Sequence, residues 1–133
     1  MLRSLAKKKK GFTMIELMVV VLILGLLTAI GIPAYSGAKV FAEQKIVETN
    51  LRMIDNAITL YYETGNTEKL GNNNMFSKLV PGYLKSEISG PRSATYSLSS
   101  DGTHSVVSSG NNEKIGGSVL NNHSFDTLPW KSK

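Results

Sequence analysis

Glu16 has the clearest claim to chemistry in this sequence, because it is the one acid set inside a long apolar run. From Leu17 to Ala38 no residue is charged. A carboxylate costs about 2.5–3.5 kcal/mol near a bilayer centre and less near an interface. An acid in such a place calls for a partner, and the run itself supplies no cation. Other chemistry is sparse. His104 and His123 are the only histidines, and neither stands at metal-ligand spacing with Asp or Glu. There are no cysteines, so neither a disulfide staple nor a thiolate site is available. Serines are numerous, yet they form no Gly-x-Ser-x-Gly elbow, and no glycine loop of the phosphate-cradling kind is present. The chain reads as a non-enzyme.

The element that must position Glu16 is a helix through the apolar run. About 20 such residues span about 30 Å at 1.5 Å per residue, the thickness of a bilayer core. Lys7, Lys8, Lys9 and Lys10 precede it, which predicts a cytoplasmic N-terminus and an exterior C-terminal part. The run is too long for an ordinary secretory signal, and no small-residue cleavage site follows it. An uncleaved signal anchor explains the lysines and the run, but it has no use for Glu16. The formal net charge of +5 invites a nucleic-acid reading. Arg3 and the four lysines account for all of it, and beyond them ten basic residues face ten acidic ones. The basic balance therefore belongs to targeting, and strong nucleic-acid binding is not expected.

Lys10-Gly11-Phe12-Thr13-Met14-Ile15-Glu16-Leu17 resembles the processing motif of type IV prepilins and of the pseudopilins of type II secretion. The resemblance covers about the first 55 residues. It implies that a membrane peptidase/methyltransferase cuts between Gly11 and Phe12 and methylates Phe12. It implies that Glu16 is the assembly glutamate, and Pro33 matches the family's helix proline. It further implies a segment that is helical in the bilayer and partly unwinds in a filament; a simple kink at Gly25, Gly31 and Pro33 is the competing reading. Many Gram-negative pilins in this family close a C-terminal loop with a disulfide, from which this cysteine-free chain departs.

Beyond the membrane segment, Val40, Val47, Leu51, Ile54, Ile58 and Tyr61 fall on one helical face. Charged residues lie between them, with Glu48 and Arg52 at salt-bridge spacing. A coiled-coil partner competes with a covering head for this face. Gly65 and Asn66 are expected to end the helix. Residues 66–74 form a polar loop, residues 75–80 a helical turn, and Pro81-Gly82 closes it. Ala94, Tyr96 and Leu98 alternate with Thr95 and Ser97 as in a half-buried strand. Asp101-Gly102 signals a hairpin, with a return strand over 103–108. A third strand is expected around 118–120. Leu128, Pro129 and Trp130 are expected to pack on this sheet.

The expected fold class is α+β, a long N-terminal helix packed against a small antiparallel head. Its divisions are leader 1–11, transmembrane and assembly helix 12–38, amphipathic helix 39–65 and globular head 66–133. Residues 109–122 loosely resemble the calcium loop of major pseudopilins. Asparagines stand where aspartates are expected, leaving Glu113 as the nearby acid, and a plain polar turn is the better reading. No cofactor is expected. The resemblance implies a filament subunit in the cytoplasmic membrane as precursor, and outside it or in the periplasm once assembled. Its partners would be copies of itself, minor pilins, the prepilin peptidase and an assembly platform. Competing readings are a type II secretion pseudopilin, a competence pilin, and a membrane-tethered binding module that never polymerises.

Overall fold

Helix α1 (Met14–Glu63) opens the fold seen in the computed structural model, which describes residues 11–131. Residues 1–10, nearly all of the expected leader, lie outside the described residues. Two compact units divide between Ser36 and Gly37. In the first, every described residue is exposed. Its sequence meets the length and composition needed to cross a membrane, and no part of the apolar window is covered by protein. The helix assignment continues through Gly25, Gly31 and Pro33. Pro33 has no N–H to offer the Ala29 carbonyl. Thr28 and Ser36 turn their hydroxyls back on the carbonyls of Leu24 and Pro33, at 2.7 and 2.9 Å.

The second unit is built on the amphipathic face of α1. Val47, Leu51, Ile54, Ile58 and Tyr61 are buried as their spacing requires, and Val40 is half-buried at the edge. Burying a side chain such as Leu51 contributes about 1.5–3 kcal/mol. The helix ends at Glu63, and Gly65 takes a φ of +88° that favours glycine. A short helix α2 (Met75–Leu79) then places Met75 and Leu79 in the core. Strands β1 (Thr95–Leu98) and β2 (Ser105–Ser108) pair antiparallel, with Tyr96 opposite Val107 and Leu98 opposite Ser105. Ala94, Tyr96 and Leu98 point inward as the alternation predicts. The return strand starts two residues later than expected, because Thr103 and His104 belong to the turn. That turn is closed by Gly102 N–H to Ser99 O at 2.9 Å and by the Asp101 carboxylate accepting the Thr103 N–H at 3.1 Å.

The expected third strand at 118–120 does not form among the described residues. Gly116 and Gly117 both have positive φ, +58° and +90°, and fold the chain back so that Ile115 bridges Ser118. A second isolated bridge joins Val107 to His123. Leu120 is nevertheless fully buried, and its carbonyl accepts the Ser109 N–H at 2.8 Å. Among the described residues the fold is α+β with two strands. Leu128 enters the core, and Trp130 packs against it half-buried.

Candidate assembly site

Thr13 and Glu16 form a reciprocal cap at the start of α1. The Thr13 backbone N–H and hydroxyl both donate to Glu16 Oε2 at 2.8 Å. The Glu16 N–H donates in return to Thr13 Oγ1 at 3.3 Å. This is a Thr-x-x-Glu capping box, which satisfies donors that a helix start otherwise leaves open. No cation of the apolar run reaches Glu16, as the sequence implies, but neutral donors do. Its partners are neutral donors one turn back, and its Oε1 accepts no bond among the described residues. The acid also sits in the first turn, where the helix dipole favours negative charge. The signal was present in the sequence, since a Thr three residues before a Glu at the head of an apolar run is the mark of this motif.

Phe12, Ile15, Glu16, Val19 and Val20 line one shallow recess of about 330 Å³. The Gly11-Phe12 junction is exposed and precedes the first turn of α1. Pro33 lies in the same exposed helix, four turns or more beyond Glu16, and takes no part in the cap. A side chain added at Gly25 or Gly31 would meet nothing within 4 Å, so the chain's own packing does not demand glycine there.

The second site considered, the loop at 109–122, is organised by a different carboxylate from the one expected. Glu43 of α1, 6% exposed, accepts the Gly116 N–H at 3.0 Å through Oε2. Its Oε1 accepts Arg92 Nε–H at 2.6 Å. Gln44 donates from Nε2 to the Gly116 carbonyl at 2.8 Å. Burial pushes the Glu43 carboxyl up, but the Gly116 N–H and the Arg92 guanidinium together hold it below the ordinary carboxylate range. Glu113, the acid picked out in the sequence, is exposed. Among the described residues no three His, Cys, Asp or Glu side chains gather as metal ligands do. Asp126 lies near Lys131 instead, at 3.8 Å. His123 bonds the Thr127 carbonyl at 2.8 Å, and His104 lies beside Ser99 and Thr103.

Glu48 does not pair with Arg52 as its spacing suggested. It takes Lys45 at 3.0 Å and the Trp130 indole N–H at 3.0 Å, while Arg52 stacks on the Phe125 ring at 4.2 Å. Lys45 and Trp130 thereby keep Glu48 ionised to lower pH than usual, against the opposing effect of burial, which is the largest single influence.

Residues 6–32 match the family described as the prokaryotic N-terminal methylation motif. The chain is 40% identical over 55 residues to the type II secretion system core protein G of Vibrio cholerae serotype O1. It is 34% identical over 55 residues to the protein of that name from Aeromonas hydrophila, and 33% over 54 to that of Escherichia coli K12. The match to the Vibrio protein covers 41% of this chain and 38% of that relative, so the chain spans well under half the length of the curated relatives it matches. No solved structure matches the chain. The N-terminal segment is thus of the prepilin methylation type, shared with type II secretion pseudopilins.

Proposed function

We propose, from this prepilin-type N-terminal segment, that the chain is a structural subunit of a type IV pilus-like filament and not an enzyme. It is cut between Gly11 and Phe12, methylated at Phe12, held in the cytoplasmic membrane by its apolar helix, and polymerised through that helix. The relatives named as type II secretion core proteins favour a pseudopilin filament over an adhesive or motile pilus. The observation that carries the reading is the uncovered apolar stretch of α1, residues 14–36, with a single acid held at its first turn. A bare membrane anchor needs the first feature and gains nothing from the second.

Cleavage leaves a positive α-amine on Phe12, and methylation keeps that charge. Glu16 lies one helical turn along. The Thr13 cap occupies Oε2 and leaves Oε1 as an acceptor. An incoming subunit's amine meeting the carboxylate of a subunit already in place pairs two charges that are each costly alone in lipid. That pairing favours one axial register between otherwise featureless helices. Pro33, which weakens α1 by one backbone bond, gives the same helix a place to unwind as it packs.

Intact-mass measurement of the protein from its native membrane tests the processing step. A mature chain beginning at N-methylated Phe12 is expected, and Gly11→Val is expected to accumulate as full-length precursor. Normal maturation of Gly11→Val, or an unprocessed wild-type chain, would overturn the site.

A further inference from the structure

A recess of about 580 Å³ opens between the end of α1 and the β1–β2 turn, and it shares no residue with the site around Glu16. Its volume falls within the range of about 300–1,000 Å³ common for small-molecule sites. Tyr62 of α1 supplies one wall. Its ring is 37% exposed yet held in place: the hydroxyl accepts the Leu70 N–H at 3.2 Å, and the ring meets Tyr61 edge to face at 5.4 Å. Thr67, Lys69 and Asn72 come from the loop that follows α1, and Ser100 and Asp101 from the turn. Asn72 Oδ1 fastens loop to turn by accepting the Leu98 N–H at 2.7 Å, and its amide N–H groups remain as donors. Among the described residues the Lys69 ammonium and the Thr67 and Ser100 hydroxyls enter no hydrogen bond or ion pair. Asp101 takes the Ser99 hydroxyl and the Thr103 N–H on Oδ1 and keeps Oδ2 as an acceptor. Those donors, the Ser99 hydroxyl first, hold its carboxyl well below the ordinary carboxylate range, so it is an ionised acceptor at neutral pH.

We propose that this recess binds a neutral hexopyranose unit of a glycan, with the C–H face of the sugar against the Tyr62 ring. One lysine set beside one acid leaves no net charge to draw a phosphate. A single carboxylate is too few for a hard divalent cation, which takes six or more oxygens. A sugar has one apolar face and a rim of hydroxyls that each donate and accept. The ring, the Asp101 acceptor, the Lys69 and Asn72 donors and the two free hydroxyls match that rim with groups already in position, which keeps the ordering cost of binding low. The recess lies wholly in the second compact unit, so the proposal stands apart from the filament reading.

Titration of the full chain in a polyoxyethylene detergent, which carries no sugar, tests the site. Cellotetraose, maltotetraose and chitotetraose are the probes, read by calorimetry and by saturation transfer from protein to sugar protons. At least one is expected to bind with a Kd below about 10 mM. Tyr62→Ala and Asp101→Asn are each expected to weaken it about fivefold or more, and Lys69→Ala about threefold. Lys69 has no bonded partner to lose among the described residues, so Lys69→Ala should leave the melting temperature unchanged, and its effect reads the site and not the fold. Lys85→Ala, at an exposed position outside the recess, is expected to change affinity by less than about twofold. Failure of all three sugars to bind at about 10 mM overturns the proposal. Binding that survives Tyr62→Ala, Asp101→Asn and Lys69→Ala unchanged also overturns it. So does equal competition by glycine, which would mark a zwitterion site, or by inorganic phosphate.

Discussion

Removing the Glu43 carboxylate should loosen the loop at 109–122 and reveal how the head of this cysteine-free chain is held. Glu43 is buried and accepts two bonds, one from Gly116 at 3.0 Å and one from Arg92 at 2.6 Å. Bonds to a charged group contribute about 1.5–3 kcal/mol each. The Arg92 side chain is 41% exposed, so its share belongs at the low end after screening. Glu43→Gln keeps the shape and one acceptor, and should cost about 1–2 kcal/mol. Arg92→Ala should cost about the same, since it leaves a buried carboxylate half-paired. The pH dependence follows from the direction of the shift. The folded carboxyl lies below its unfolded value, so its contribution is present above about pH 4.3, the ordinary carboxylate value, and is lost as pH falls through the folded one. The gap between wild type and Glu43→Gln should therefore narrow below about pH 4. Urea unfolding of the full chain in detergent, followed by the fluorescence of Trp130, reads this directly, because Trp130 is the only tryptophan and its ring lies beside Gly116. Equal stability of Glu43→Gln and wild type at pH 7, or a gap that does not change with pH, would refute the reasoning.

Other outcomes follow from the same geometry. Gly116→Ala should lower stability by about 1–3 kcal/mol, since its φ is +58° and an added Cβ would lie 2.6 Å from Gln44 Cγ and 3.2 Å from Trp130; thermal melts check it. Thr13→Val should remove the hydroxyl half of the helix cap at a cost of about 1 kcal/mol and reduce filament number, with Thr13→Ser restoring both; filament counts and helix content by circular dichroism decide. Calcium addition or chelation should leave the melting temperature of the full chain unchanged, because Glu43, Gln44 and Arg92 already hold the loop. A calcium-dependent rise would return residues 109–122 to the metal reading.

The helical parts of this protein were legible because their signals are local. The apolar face of α1, the stop at Gly65 and the inward alternation of Ala94, Tyr96 and Leu98 all came out at the expected positions. The buried polar residues were not legible. Glu43 bonds Gly116, 73 residues away, Asn50 bonds Tyr96 at 46, and Ser105 bonds Asp55 at 50, and no spacing rule reaches such pairs. Glu48 and Arg52 show the converse error: correct helical spacing lost to the stronger offers of Lys45, Trp130 and Phe125. The absent third strand belongs to Gly116 and Gly117, whose left-handed backbone turns a short apolar run into a tight loop. Thr13 is a different case, since its Thr-x-x-Glu signal is local and spans a single helical turn.

If the chain polymerises through its N-terminal helix with Glu16 setting the register, removal of that acid should abolish filaments while sparing the membrane-held subunit. Electron micrographs of sheared surface and periplasmic fractions, from cells making wild-type or Glu16→Leu protein, test it most directly. Glu16→Leu loses the side-chain half of the Thr13 cap, about 1 kcal/mol, but also the cost of an acid in lipid, so membrane levels and cleavage at Gly11 should hold. Filaments composed of the wild-type chain, and few or none of Glu16→Leu, are expected. Glu16→Leu filaments of normal number and length, or a processed wild-type chain that stays dispersed in the membrane, would contradict it.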